Sequence, residues 1–136
     1  MRFGQFYGFD SGHTVDAIAA VRAGAPSELG DPAAYRSVIT TDDAATAVVA
    51  ALRAPSGIYN VDDDEPLSRA DNIAALAGAL GVPTPVPPSA TPDLPPHLSA
   101  MLRSQRVSNA RFKAVTGWRP RFPSAREGWA HVVGER

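Results

Sequence analysis

Apolar residues recur along this chain in two periods, and the switches between them mark its elements. Phe3, Phe6 and Tyr7, with glycines at 4 and 8, suit a short strand running into a loop. Turn residues follow, and Thr14 is placed to cap a helix in which Val15, Ile18, Ala19 and Val21 keep helical spacing before Gly24. Residues 25–34 form a loop rich in Pro, Gly and Asp, and Tyr35 to Thr40 forms a second strand. Thr41 or Asp42 then caps a helix whose apolar face is Ala45, Val48, Val49 and Leu52, at i, i+3, i+4 and i+7, ended by Pro55. Gly57 to Val61 is a third strand.

The second half of the chain reads as helices. Ser68 and Asp71 have capping-box spacing, and the helix they open buries Ile73, Leu76, Ala77 and Leu80 before Gly81 and Pro83. Seven prolines fall among the fourteen residues 83–96, which excludes a helix or a central strand and predicts an extended surface loop. A short helix is expected from His97 to Arg103. Another is capped by Ser108, turns Phe112 and Val115 inward and stops at Gly117. The last opens at the capping box Ser124 to Glu127 and carries Trp129, Val132 and Val133. Trp118 and Trp129 are the expected core anchors of these two helices.

Composition narrows the function. At 136 residues this is one α/β domain, and a net charge of -1 offers no basic field for nucleic acid. No apolar run approaches the roughly 20 residues of a membrane helix, and no signal peptide opens the chain, so the cytoplasm is the expected location. With no cysteine there is no disulfide framework and no thiolate metal site. The carboxylates Asp62, Asp63, Asp64 and Glu65 are consecutive, whereas a calcium loop alternates its ligands around a glycine. His13, His97 and His131 have no histidine partner at i+3 or i+4, so no metal is expected.

Four stretches then stand in a recognisable order: Arg2 to Gly8, Val38 to Ala45, Gly57 to Val61 with Glu65 and Pro66, and Ser108 and Asn109 through Gly117, Trp118 and Pro120. Together they resemble the carboxyl-terminal half of the extended short-chain dehydrogenase/reductases, the NAD-dependent sugar-nucleotide epimerases and dehydratases. The resemblance covers nearly the whole chain, residues 1–136 as a single domain. It implies the substrate-binding subdomain of that α/β fold, with five or six helices, a few short strands, and no amino-terminal dinucleotide-binding half. Glycines 4, 8 and 12 do not make the family's Gly-rich dinucleotide loop. Tyr7, Tyr35 and Tyr59 are followed four residues later by Ser11, Ile39 and Asp63, so no Tyr-x-x-x-Lys pair exists. No cofactor is therefore expected for this chain alone, although full-length members use NAD or NADP.

The same resemblance nominates substrate contacts. Gln5 stands where the family usually has an Asn at the strand end, and Arg36 where many members hold the substrate diphosphate, a task suited to a guanidinium fork. Arg106 falls near the second family Arg for those phosphates, and Tyr7 and His13 lie at the pocket mouth. Phe9 replaces a common Pro and Thr40 a common His, which argues against ordinary substrate specificity. Asp42 and Asp43 are expected to favour a helix N-terminus.

The resulting expectation is a substrate-binding half, without redox activity of its own, that takes a nucleotide-sugar-like or other small polar ligand. Two rivals are a cofactor-independent isomerase or cyclase using Tyr7, His13 or Asp42 for proton transfer, and a fragment or separate subunit of a full-length oxidoreductase. Open strand edges and uncovered apolar helix faces further predict a homodimer or a separate amino-terminal partner chain.

Overall fold

The computed structural model describes residues 1–86, 95 and 102–135. Most of the Pro-rich stretch 83–96, and most of the short helix expected at 97–103, lie outside the described residues. The opening strand divides at Gly4 into β1 (Arg2–Phe3) and β2 (Gln5–Tyr7). A Cβ at Gly4 would meet the Ser37 carbonyl oxygen at 3.0 Å, so the backbones cross there only because the side chain is absent. Helix α1 (Gly12–Arg22) leads to β3 (Tyr35–Arg36), β4 (Val38–Thr40) and α2 (Thr41–Ala51). Then come β5 (Asn60–Val61), β6 (Leu67–Ser68), α3 (Arg69–Leu80), α4 (Ala110–Thr116) and α5 (Ala125–Gly134).

The strands pair two by two. β1 lies parallel to β5, β2 lies parallel to β4 with Gln5 opposite Val38 and Tyr7 opposite Thr40, and β3 is antiparallel to β6. Because side chains alternate along a strand, β4 sends Val38 to one face and Ile39 to the other. Val38 joins Tyr7, Ile18, Ile73, Leu76 and Trp129 in a core under α1, α3 and α5. Ile39 joins Ala47, Tyr59, Val61, Phe112 and Trp118 in a second core under α2 and α4. The result is an α/β arrangement of five described helices around short parallel strands.

Helix ends follow local chemistry, sometimes one residue away from expectation. Ser68 and Ser124 cap as predicted, accepting from the Asp71 and Arg126 amides. Helix α2 is capped by Thr40, whose hydroxyl accepts from Asp43 N–H at 3.1 Å, and not by Thr41 or Asp42. Thr14 caps nothing. It lies inside α1, fully buried, and its hydroxyl accepts from Gly8 N–H at 3.2 Å, tying the helix to the end of β2. The N-cap of α4 is Asn109 and not Ser108.

The apolar stripe of α2 faces the wrong way for a core. Leu52 is 81% and Val49 67% exposed, with Val48 also outward, while Asp43, Ala44 and Ala47 point in. Asp43 fixes this rotation, because its buried carboxylate accepts from the backbone N–H of Arg121 at 2.7 Å and of Phe122 at 3.1 Å. Two charge-assisted bonds, each worth about 1.5–3 kcal/mol, outweigh the apolar stripe. Val115 is likewise exposed, leaving Phe112 as the inward anchor of α4. No helix among the described residues is long and apolar enough to cross a membrane.

Candidate functional site

Two cavities meet along the opening strand. The outer, of about 490 Å³, is lined by Arg2 and Gln5 from the strand, by Tyr35, Arg36 and Ser37, by Asn60, and by Arg103 and Gln105. The inner, of about 140 Å³, is lined by Gln5, Tyr7, His13, Glu28, Arg36, Asn72 and Trp129. Gln5 and Arg36 belong to both. Four of the five residues nominated from sequence, Gln5, Tyr7, His13 and Arg36, are thus brought together around the inner cavity.

The fifth is not. The Arg106 guanidinium lies over the Tyr35 ring, 4.4 Å from its centroid, and lines neither cavity. Arg103 takes the basic position at the outer wall. Three further residues escaped the sequence reading. Glu28 comes from a loop read only as Pro/Gly turn chemistry, Asn72 is a polar residue in the first turns of a helix, and Trp129 registered only as a core anchor. A polar residue on the buried side of α3 is the one signal that could have pointed to Asn72.

These polar groups are joined in a chain. Arg36 Nη1 donates to Glu28 Oε2 at 2.9 Å, the Asn72 amide donates to Glu28 Oε1, and Trp129 Nε1 donates to Asn72 Oδ1 at 2.8 Å. Trp129 also packs on Tyr7, with ring centroids 4.6 Å apart. His13 is engaged through both ring nitrogens, Nδ1 with Ser11 Oγ at 2.9 Å and Nε2 with the Phe6 carbonyl oxygen. A carbonyl oxygen only accepts, so Nε2 is the donor toward Phe6.

Tyr7 offers its ring to the cavity while its hydroxyl is buried without a hydrogen-bond partner. Burial first, and then the carboxylates of Asp63, Asp43 and Glu127, drive its pKa far above that of an ordinary phenol. A group so reluctant to ionise is a poor general base. Asp42 lies at a different surface cavity, with Asp43, Trp118 and Arg121. Of the three groups named for a cyclase, Tyr7 and His13 share the inner cavity and Asp42 stands apart from them.

Behind the strands lies a second polar cluster. Asn109 Nδ2 donates to the Asp62 carbonyl at 2.7 Å, the Asp63 carbonyl at 3.2 Å and Asp64 Oδ1 at 2.7 Å, and Lys113 pairs with Asp64 at 2.8 Å. The Asp62 and Asp63 side chains are buried, and no well-aligned hydrogen bond reaches their oxygens. Burial pushes Asp62 up to about 7, the nearby Ser37 hydroxyl opposing it. Burial and the adjacent Asp62 push Asp63 up to about 8. Among the described residues one trio could present three ligand atoms to a metal: Asp42, His131 and Glu135, with His131 Nε2 3.1 Å from Asp42 and 3.4 Å from Glu135. It escaped the histidine-spacing search because its other members are carboxylates, one of them from another helix. The hydrogen bond between His131 Nε2 and Asp42 holds this trio together, and both carboxylates are exposed.

The architecture is an α/β one, with the cavities along the opening strand and helices on both faces of the short strands. No protein-family model matches the chain. Over 138 residues it is 33% identical to a 3-diazoavenalumate denitrifying reductase from a Streptomyces species, a match spanning 94% of this chain and 44% of that protein. It superposes on the NAD complex of UDP-glucose 4-epimerase from Thermus thermophilus with a TM-score of 0.73 and 29% identity, covering 98% of this chain and 44% of that one. A functionally unknown conserved protein from Silicibacter pomeroyi gives a TM-score of 0.72 at 28% identity, again with 98% of this chain and 47% of the other. The chain belongs to the extended short-chain dehydrogenase/reductase family, the NAD-dependent epimerases and dehydratases. It spans a little under half the length of these relatives.

Proposed function

We propose that this chain is the substrate-binding half of an NAD-dependent epimerase/dehydratase-like protein, holding a nucleotide-sugar-like or other small polar anionic ligand and carrying no redox chemistry by itself. One observation carries the reading: a larger cavity walled by Arg2, Arg36 and Arg103, with no acidic residue among its described lining, shares Gln5 and Arg36 with a smaller cavity lined by mixed polar groups. Guanidinium forks match phosphate oxygens, and the amide of Gln5 can donate and accept toward a hydroxylated group. The residues that would grip a dinucleotide pyrophosphate are missing from this sequence, so hydride chemistry falls to another half.

That half has a place to sit. An apolar groove of about 260 Å³ is lined by Phe3, Phe6, Thr41, Ala44, Ala45 and Val48, and continues along α2 to the exposed Val49 and Leu52. We assign it to a dinucleotide-binding half presenting parallel strands, because each described strand has a single neighbour and the relatives are more than twice as long. Without that half, a second copy is the alternative cover.

Calorimetric titration of the chain with UDP-glucose, UDP and NAD tests the reading. The expected result is micromolar to millimolar binding of the uridine nucleotides, weakened by Arg103→Ala, with no measurable NAD binding. Tight NAD binding, or no anion binding at all, overturns it.

A further inference from the structure

We propose that Glu28 sets the charge preference of the site: paired with Arg36, it keeps the inner cavity for a neutral polar group and leaves the anion to Arg2 and Arg103. This rests on the ligand reading above and departs from its simplest version, in which Arg36 is the phosphate clamp.

The geometry points to Glu28 for three reasons. Its side chain is only 5% exposed and lies 2.9 Å from Arg36, whose own side chain is 22% exposed. It cannot swing aside, because Oε1 is held by Asn72, which in turn is held by Trp129 in the core of α5. Its loop is pinned from the next residue as well, since Arg69 Nη1 donates to the Leu29 carbonyl at 2.6 Å. Arg36 is therefore a committed partner before any ligand arrives. Because Glu28 and Arg36 cancel each other, neither the carboxylate nor the guanidinium of this pair is left uncompensated in the inner lining, which suits hydroxyl or amide groups and penalises an ion. Among the described residues, no acidic group of the outer lining compensates Arg2 and Arg103. Glu28 is thus a specificity residue acting through Arg36, and it disfavours ligands whose charge exceeds what two arginines balance.

The test uses inorganic pyrophosphate at low salt against the whole chain. Glu28→Gln keeps an oxygen for Asn72 and turns an NH₂ group toward Arg36, releasing that guanidinium to the anion. The expected result is pyrophosphate affinity raised by about tenfold, since a buried carboxylate beside the site no longer repels the anion. Adding Arg36→Ala to Glu28→Gln should abolish the gain. In the native background, Arg103→Ala should cost more affinity than Arg36→Ala. Structural damage lowers affinity, so a rise is a readout that a merely architectural Glu28 cannot produce. Unchanged or weakened binding by a folded Glu28→Gln chain overturns the proposal while native binding leaves the ligand reading intact. Should Glu28→Gln fail to fold, an Arg36→Ala loss equal to that of Arg103→Ala overturns it instead. Absence of pyrophosphate binding in both the native chain and Glu28→Gln sinks the anion site and this proposal together.

Discussion

Replacing Asp63 by Asn should stabilise this protein, and by an amount that grows with pH. The side chain is 3% exposed, and burial, followed by the repulsion of Asp62, pushes its pKa up to about 8. In the unfolded chain it titrates near 4. Between these values the folded state holds a proton that the unfolded chain releases, so its favourable contribution is complete below about pH 4 and is lost as pH rises through about 8. A gap of about four pH units at about 1.4 kcal/mol per unit caps the effect at roughly 5.5 kcal/mol. Asp62, pushed up to about 7, takes protons in the same window, so the two carboxyls titrate as a pair and one substitution relieves part of the cost. About 2 kcal/mol at pH 8 is the expected gain, because the introduced amide keeps an acceptor for the nearby Ala125 N–H and never has to be protonated. The assay is urea denaturation of both chains at several pH values from about 4 to 8, read by tryptophan fluorescence. The difference between them cancels every group they share. A difference that is flat with pH, or an Asp63→Asn variant less stable at pH 8 than the native chain, would refute the argument that a buried carboxyl is being held neutral.

Three other changes probe the frame around the site. Asn109→Ala removes the amide that bridges Asp62, Asp63 and Asp64, and should cost about 2–3 kcal/mol in the same denaturation assay, with Asn109→Asp no better because it brings another carboxylate. A Cβ at Gly128 would collide with the Tyr7 hydroxyl, so Gly128→Ala should lower stability by about 1–3 kcal/mol. Tyr7→Phe removes the hydroxyl but keeps the ring carbon 2.8 Å from that Cβ, so it should recover only part of the loss, a coupling that a double-mutant cycle measures directly. Val49→Lys with Leu52→Lys should leave the melting temperature of the isolated chain nearly unchanged, since both side chains are exposed, yet reduce any self-association seen by light scattering. Unaltered association would remove α2 from the docking surface.

Local chemistry was legible in the order of residues. Ser68 with Asp71, Gly81, Gly117 and Ser124 mark helix ends, because caps and left-handed stops depend on side chains and φ angles a few residues apart. The family order of motifs nominated Gln5, Tyr7, His13 and Arg36, and all four line the inner cavity. What the sequence could not settle were choices made by distant partners. The periodicity of α2 nominated Val48, Val49 and Leu52 for the core, but Asp43 gripping the amides of Arg121 and Phe122 turned the helix the other way. Glu28 and Arg103 sit in segments without periodicity, and only the folded chain brings one against Arg36 and the other to the wall of the outer cavity. Residues 28 and 72 are linked by a hydrogen bond that closes a long loop, and that pairing follows from packing around Trp129, not from any spacing along the chain. The sequence by itself determined the elements and the family to which they belong. Tertiary structure decided which faces are buried and which charges are already spent, because burial and ion pairing depend on every neighbour at once.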